Sequence, residues 1–487
     1  MLIRYALEVD PTSDACAEYA VRLLLEGIGV AGQRCALPAD ADLVYAVEPP
    51  ADLPDHALWI RACGASDWDG GAAAIVWSGD LPVVAGNGRE RVSAVVDHVG
   101  EDIVYSTYAI ASGALERRAP KDKWGVPRAD EGLLAREGAL ARPAVAVYCR
   151  HLVTALERRR RSPLETVPRW PAGKRYAVVL SHDVDVPFAR APWAFYGRRL
   201  RRNIADRNPR AALRGVLQAA KAAAVTRGQM PDAASDANFC FDAWFDLEAS
   251  LSAASCFYVA VTSSADRAAS AYDVNYDFRH PELVSALRRA VDAGWEVGLH
   301  ASINAYRSPD RLKDERGMLE SVLGAYRVQG VRHHYWALDP RHPERTLRLH
   351  DGVGLSYDSS FGLNDAPGFR RGMAWPFEPF DSERREAVSM LEVPPTLMDG
   401  GIFYRPVTPD EGRRLIEEHI GIVRELGGAA VLDWHLEQLN PARLRGAGPA
   451  LVAVLAALAA DSTVYWATPG QVAQWWRARR DRIQASV

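Results

Sequence analysis

Short apolar runs alternate with segments of helical periodicity along most of this chain. In the first part, apolar residues recur at helical spacing over 15–28, and the patterns at 103–111 and 145–156 also predict helices. Short apolar runs of strand length lie between these helices. They predict strands at 43–47, 57–60, 74–77 and 81–84. This mixture predicts a small α/β accessory domain over residues 1–160, and no catalytic constellation stands out in it.

A basic run with three prolines at 157–174 predicts an exposed connector between two domains. Beyond it, apolar strand-like runs alternate with amphipathic helical segments, which predicts a parallel sheet or a (β/α) barrel over 174–487. The basic segment 198–229 predicts a helical insertion, either simply solvated or in contact with an acidic substrate or partner. The predicted strands lie at 176–180, 256–261, 295–299 and 429–432, and the predicted helices at 281–293, 311–323, 410–426 and 449–460.

Length and composition narrow the class of protein. A chain of 487 residues exceeds one compact core, so two domains are expected. Its formal net charge of −4 argues against a nucleic-acid partner, because such proteins present a basic surface to phosphate. The six cysteines are widely spaced and are typical of thiols in a reducing compartment. The N-terminal segment lacks the pattern of a signal peptide, and no apolar run is long enough to span a bilayer. We therefore expect a cytoplasmic protein without stable membrane insertion; its oligomeric state stays open.

Polar side chains follow several of the predicted strands. The sequence VVLSHDVD ends an apolar run with His182, Asp183 and Asp185. In parallel α/β folds the strand ends face a common crevice, where one carboxylate can bind a cation and another can take a proton. A strand-end turn with capping aspartates would show the same residues. His300 follows another strand, and further polar clusters contribute Arg332, His333, His334, Tyr335, Trp336, Asp358, Asp433 and His435.

The order of these motifs resembles the polysaccharide deacetylases of the NodB-homology family. The resemblance covers about 174–474 and is carried by SHDVD, GLHASINAY, GVRHHY, YDSSFG and WHLEQL. It looks like a bacterial subgroup with an SHDVD strand and an additional N-terminal domain. The resemblance implies a distorted (β/α) barrel with fewer strands than an eightfold barrel, preceded here by the smaller α/β domain. It also implies a divalent metal, with zinc the expected ion, that polarises an acetamide carbonyl and activates water.

The resemblance also implies roles for individual residues. Asp183 is the general base, His435 the general acid, Arg332 orients the base and Tyr335 helps to bind the oxyanion. Asp185 and His300 are implied metal ligands. Asn304 stands where the family has a second metal histidine, and Val184 separates aspartates that are usually adjacent. Because an amide is a poor zinc ligand, the third ligand could be His182 or His334, or the site could bind a harder metal or none. Substrate contacts are expected from His334, Trp336, Asp358 and Trp434.

These residues leave three functions open. The first is a metal-dependent hydrolase that removes an acetyl group, most simply an N-acetyl group, from a saccharide or glycan precursor. The second is a catalytically lapsed domain that binds a saccharide or partner protein in polysaccharide biosynthesis, which Asn304 favours. The third is a glycoside hydrolase on the same barrel, which requires two carboxylates flanking the scissile bond. Asp183 with Asp358 or Asp433 could supply that pair.

Overall fold

The computed structural model describes most of the chain. The described residues are 1–62, 68, 74–85, 98–189, 216, 236–261, 272–274, 276–444 and 446–485. The predicted helical insertion at 198–229 lies outside the described residues, apart from Val216.

The N-terminal part contains a parallel sheet and a separate antiparallel hairpin. Its strands are β1 (Leu2–Glu8), β2 (Ala31–Arg34), β3 (Leu43–Ala46), β4 (Leu58–Arg61), β5 (Ala74–Ser78) and β6 (Leu81–Ala85). The sheet has the order β2-β1-β3-β4 with parallel pairing throughout, and β5 pairs with β6. This part is therefore α/β, as the sequence predicts.

A second, larger sheet occupies the rest of the chain. Its strands are β7 (Tyr176–Val184), β8 (Cys256–Val259), β9 (Glu296–Ala301), β10 (Gly330–His333), β11 (Tyr357–Asp358), β14 (Leu391–Glu392), β15 (Leu397–Met398), β16 (Ala429–Asp433) and β17 (Val464–Ala467), with the hairpin β12 (Phe380–Asp381) and β13 (Glu386–Ala387) lying apart. The order is β14-β11-β10-β9-β8-β7-β16-β15, and β17 also pairs with β7. All of these pairings are parallel. The curled parallel sheet confirms the predicted α/β fold of the barrel type.

Helices connect the strands and cover the sheets. They are α1 (Asp14–Ile28), α2 (Ile103–Ala111), α3 (Leu133–Arg136), α4 (Ala144–Arg160), α5 (Phe241–Ser250), α6 (Pro281–Asp292), α7 (Pro309–Leu323), α8 (Pro343–Gly352), α9 (Asp399–Phe403), α10 (Pro409–Leu426), α11 (Ala447–Leu458) and α12 (Pro469–Ala485). In the part of the chain that the structure describes, none of them is long and apolar enough to cross a membrane.

One hydrophobic core joins the two parts of the chain. A continuous cluster of buried side chains runs from β1 to α12. At the junction, Gly27 of α1 lies so close to Trp375 that an added Cβ would be 3.0 Å from the indole. Arg169, in the segment between α4 and β7, donates to the carbonyl oxygens of Gly27 and Leu426 at 2.9 Å each. The segment predicted to be an exposed connector therefore binds to both parts.

Candidate active site

The carboxyl ends of the parallel strands bring the predicted polar residues together. All nine residues of β7 are buried, and Asp185 follows directly after its end. His300 lies on β9, and His334 and His435 follow β10 and β16. Because parallel strands end at the same edge of a sheet, residues separated by up to 250 positions in the chain meet in one crevice.

Asp185 is at the centre of this group. Its Oδ1 lies 3.3 Å from His300 Nε2, and its Oδ2 lies 3.4 Å from His334 Nε2 and 3.6 Å from His435 Nε2. Burial by itself would raise the pKa of Asp185, but the charge of His334 and the nearby imidazoles lower it well below its usual value. Burial likewise opposes the charged form of His334, yet the carboxylate of Asp185 raises the pKa of His334 to about 9.

The donor atoms of this group fit a divalent metal. Asp185, His300 and His334 each offer an atom within 4.8 Å of the others. Zinc ligands at about 2.0 to 2.1 Å from a tetrahedral ion are separated by roughly 3.3 Å, close to the spacing of Asp185 from the two histidines. In addition, Asp185 Oδ1 and His300 Nε2 are buried without a hydrogen-bond partner among the described residues. Buried polar atoms of this kind are costly unless a ligand satisfies them.

A backbone hydrogen bond orients His300 toward this position. Its Nδ1 lies 3.1 Å from the carbonyl oxygen of Arg332, its register partner on β10. Since a carbonyl can only accept, Nδ1 carries the proton and Nε2 presents its lone pair to Asp185. The parallel pairing of β9 with β10 therefore sets the tautomer of His300.

Asp183 is held by a buried arginine on one side of the group. Arg332 Nη1 donates to Asp183 Oδ1 at 2.9 Å and lies 3.0 Å from Asp433 Oδ1. Arg332 also donates to the backbone oxygen and the hydroxyl of Ser359. Burial and the nearby charge of Asp183 raise the pKa of Asp433 well above its usual value. Arg332 thus leaves the Oδ2 of Asp183 directed toward His300, at 3.7 Å from its Nε2.

His435 also lies beside Asp185 and is held by a carboxylate that the sequence did not indicate. Asp399 accepts from the backbone N–H of His435 at 2.8 Å and lies 3.0 Å from its Nδ1. Burial opposes the imidazolium, but the carboxylates of Asp399 and Asp185 raise the pKa of His435 well above its usual value. The result is a histidine that can hold a proton on Nε2, beside Asp185.

The backbone after His334 adopts an unusual conformation. Tyr335 and Trp336 both have a φ of 56°, in the left-handed region that favours glycine. Each such residue costs about 1 to 2 kcal/mol, so the surrounding structure must hold it. The ring of Tyr335 is stacked on that of His334, with centroids 4.2 Å apart.

Four of the predicted site residues lie elsewhere. His182 has both ring nitrogens occupied at 2.7 Å, by the Trp434 carbonyl oxygen and by Glu248 Oε1, so neither nitrogen is left for an ion. Trp336, Asp358 and Trp434 are at most 3% exposed and cannot contact a saccharide. The buried positions of these side chains favour structural roles for all four: His182 and Asp358 lie on strands, and Trp336 and Trp434 lie in the segments that follow β10 and β16.

Asn304 follows β9 but makes a local contact. It lies in a 3₁₀ turn over Ile303–Arg307, and its Oδ1 accepts a hydrogen bond from Arg307 at 3.3 Å. The histidine closest to the position expected for a third ligand is His334, from β10 rather than from the turn after β9.

Sequence reasoning missed several residues that support the site. Asp399 follows a strand of only two residues, too short to give a periodic signal. Asp273 places Oδ1 3.9 Å from His334 Nδ1 and accepts from the backbone N–H of Ile303 at 2.7 Å. Trp124 comes from the N-terminal part, where no local pattern relates it to the barrel.

Comparison with known proteins gives similarity to solved structures only. No protein-family model matches the chain, and no curated protein matches it. A structure from Mycobacterium smegmatis, named as a polysaccharide deacetylase, is 18% identical with a TM-score of 0.42, and the match covers 64% of this chain and 93% of that one. One from Pseudomonas aeruginosa PAO1 with the same name is 12% identical with a TM-score of 0.39, covering 66% and 96%. An allantoinase is 14% identical with a TM-score of 0.39, covering 65% and 94%. Sequence identities and TM-scores as low as these do not indicate the activity of this chain.

Proposed function

We propose that this protein is a metal-dependent hydrolase that removes an N-acetyl group from a saccharide or glycan precursor. The observation that carries the proposal is the arrangement around Asp185. Two imidazoles, His300 and His334, face this carboxylate, and Asp183 and His435 lie beside it, each held by a buried charged partner. A metal ion with a base and an acid beside it can hydrolyse an amide.

Each residue of the site would have a separate role in the reaction. Asp185, His300 and His334 would hold the ion, with zinc the expected one. When bound, it would polarise the acetyl carbonyl and lower the pKa of water. Asp183, oriented by Arg332, would take a proton from the attacking water. His435, held by Asp399, would give a proton to the leaving amine from Nε2.

The buried position of Asp433 and Asp358 argues against glycoside cleavage. Both carboxyl groups are inaccessible to solvent. The oxygens of Asp183 and Asp433 lie within 4.8 Å of each other, and Arg332 binds both groups. A pair of glycosidase carboxylates is roughly 5 to 9 Å apart and must flank the sugar, so this pair is better suited to supporting the base.

Metal content and acetate release together test the proposal. We expect about one zinc per chain in the wild-type protein, loss of zinc in His300→Ala, and acetate release from N-acetylated oligosaccharides. Asp183→Asn should retain zinc and lose activity by at least about 10²-fold, because the general base is removed. A protein that binds no metal after reloading would instead indicate the lapsed binding domain, and equal activity in Asp183→Asn would exclude Asp183 as the base.

A further inference from the structure

A loop of the N-terminal part reaches the candidate active site. This loop, residues 120–128, is here called the Trp124 loop. Its ends are joined by a hydrogen bond from Arg128 N to the Pro120 carbonyl oxygen at 2.9 Å. Inside it, Asp122 Oδ1 accepts from the backbone N–H groups of Trp124 and Val126 at 2.8 and 3.0 Å. These bonds give the loop a defined conformation.

Two contacts dock the Trp124 loop on the barrel. Gly125 has a φ of 84° and approaches Pro340 so closely that an added Cβ would lie 2.6 Å from the proline ring. Asn364 donates from Nδ2 to Asp122 Oδ2 at 2.8 Å and to the Tyr335 carbonyl oxygen at 3.3 Å. Asn364 therefore connects the loop directly to the left-handed backbone that follows His334.

Aromatic stacking continues from the loop to the metal position. The Trp124 and Tyr335 rings are nearly parallel, with centroids 4.2 Å apart and an interplanar angle of 13°. Tyr335 stacks in turn on His334, again at 4.2 Å. Trp124 also meets Tyr272 edge-on at 4.7 Å, next to Asp273, whose Oδ1 is 3.9 Å from His334 Nδ1. The loop thus contacts Tyr335, which stacks on His334, and Tyr272, which precedes Asp273 in the chain.

We propose that the Trp124 loop is a positioning element that sets the metal affinity of the site. Trp124 and Asn364 hold Tyr335 in its left-handed conformation, and this conformation directs Nε2 of His334 toward Asp185. Residues that orient a metal ligand affect affinity although they do not touch the ion, since small displacements of a ligand are costly. This inference rests on the metal site of the proposed function and adds a role for the N-terminal part of the chain.

Zinc affinity of the full-length protein is the direct test. Apo protein is titrated with zinc against a chromophoric chelator, and the visible spectrum of the cobalt-substituted protein reports the ligand geometry. Trp124→Ala is expected to bind zinc about 10- to 100-fold more weakly and to alter the cobalt spectrum. Trp124→Phe retains a stacking ring and should stay within about threefold of the wild type. The matched control is Trp77→Ala, which removes a partly exposed tryptophan from the same part of the chain.

A second variant covers the case in which Trp124→Ala fails to fold. Asn364→Ala removes only the hydrogen bonds to Asp122 and Tyr335, and it is expected to weaken zinc binding at least about tenfold. Unchanged affinity in folded Trp124→Ala or in Asn364→Ala, beside a wild-type protein that binds zinc, would overturn the positioning role alone. A wild-type protein that binds no zinc would overturn the proposed function and this inference together.

Discussion

Arg332 donates from Nη1 to Asp183 Oδ1 at 2.9 Å, with the arginine fully buried and the aspartate only 5% exposed. The same guanidinium nitrogen lies 3.0 Å from Asp433 Oδ1. One buried cation thus binds the Asp183 carboxylate and lies beside Asp433, whose raised pKa favours the uncharged form. Isolated buried charges are strongly unfavourable, so the three groups depend on one another.

The first prediction concerns removal of this cation. Arg332→Met should lower the free energy of unfolding by about 3 to 5 kcal/mol, because the buried Asp183 loses its counter-charge and the hydrogen bonds of Arg332 to Ser359 are lost. Adding Asp433→Asn should restore part of the loss. Urea unfolding measures both variants. Arg413→Met, which breaks an exposed pair with Glu417 at 2.7 Å, is the control and should change stability by less than about 1 kcal/mol. If Arg332→Met lowers the free energy of unfolding by no more than the control does, Arg332 does not stabilise Asp183 and Asp433.

The second prediction separates orientation of the acid from metal binding. Asp399→Asn keeps the shape of the side chain but replaces an acceptor with an amide that can donate toward His435 Nδ1. The neutral amide no longer stabilises the imidazolium, so the pKa of His435 falls and less of it carries the extra proton that it would give to the leaving amine. We expect kcat to fall by about 10²-fold or more, with zinc content unchanged. Asp410→Asn, at an exposed helix start, is the control, and a normal kcat in Asp399→Asn would remove Asp399 from the site.

The third prediction tests whether His182 has a structural role or binds the metal. His182→Ala removes the bonds to the Trp434 carbonyl oxygen and to Glu248, and leaves the Glu248 carboxylate buried beside Trp295. Loss of such buried partners should destabilise the protein by about 2 to 4 kcal/mol. Zinc stoichiometry should stay at the wild-type value, in contrast to His300→Ala. Loss of zinc from folded His182→Ala would return His182 to the metal site.

The fourth prediction is a pH dependence of stability. Burial against Phe369 lowers the pKa of His419 to about 3, from about 6.5 in the unfolded chain. Between these values the unfolded state binds a proton that the folded state does not, so stability falls as the pH decreases below about 6.5. His419 should contribute about 2 kcal/mol of destabilisation at pH 5. Unfolding of the wild type and of His419→Leu, measured from pH 7 to pH 5, should show a flatter dependence in the variant; parallel curves would contradict this origin.

Several elements were predictable because their local pattern is strong. The apolar runs that begin β7 and β16 are continuous, as expected for strands covered on both faces, and the helix at 103–111 has the predicted bounds. By contrast, β10 reads as a polar cluster because Arg332 and His333 are half of its four residues, although both are fully buried. The short strands β14 and β15 give no periodic signal at all.

The sequence by itself determined which residue types stand at the strand ends, since strands and their polar termini are local features. From these it predicted Asp183, Asp185, His300 and His435 as a group. Only the tertiary structure places His334, and not His182, next to Asp185, because both ring nitrogens of His182 have hydrogen-bond partners in the core. It alone also brought Asp399 and Trp124 to the site, since contacts between residues distant in the chain follow from packing, which no local pattern encodes.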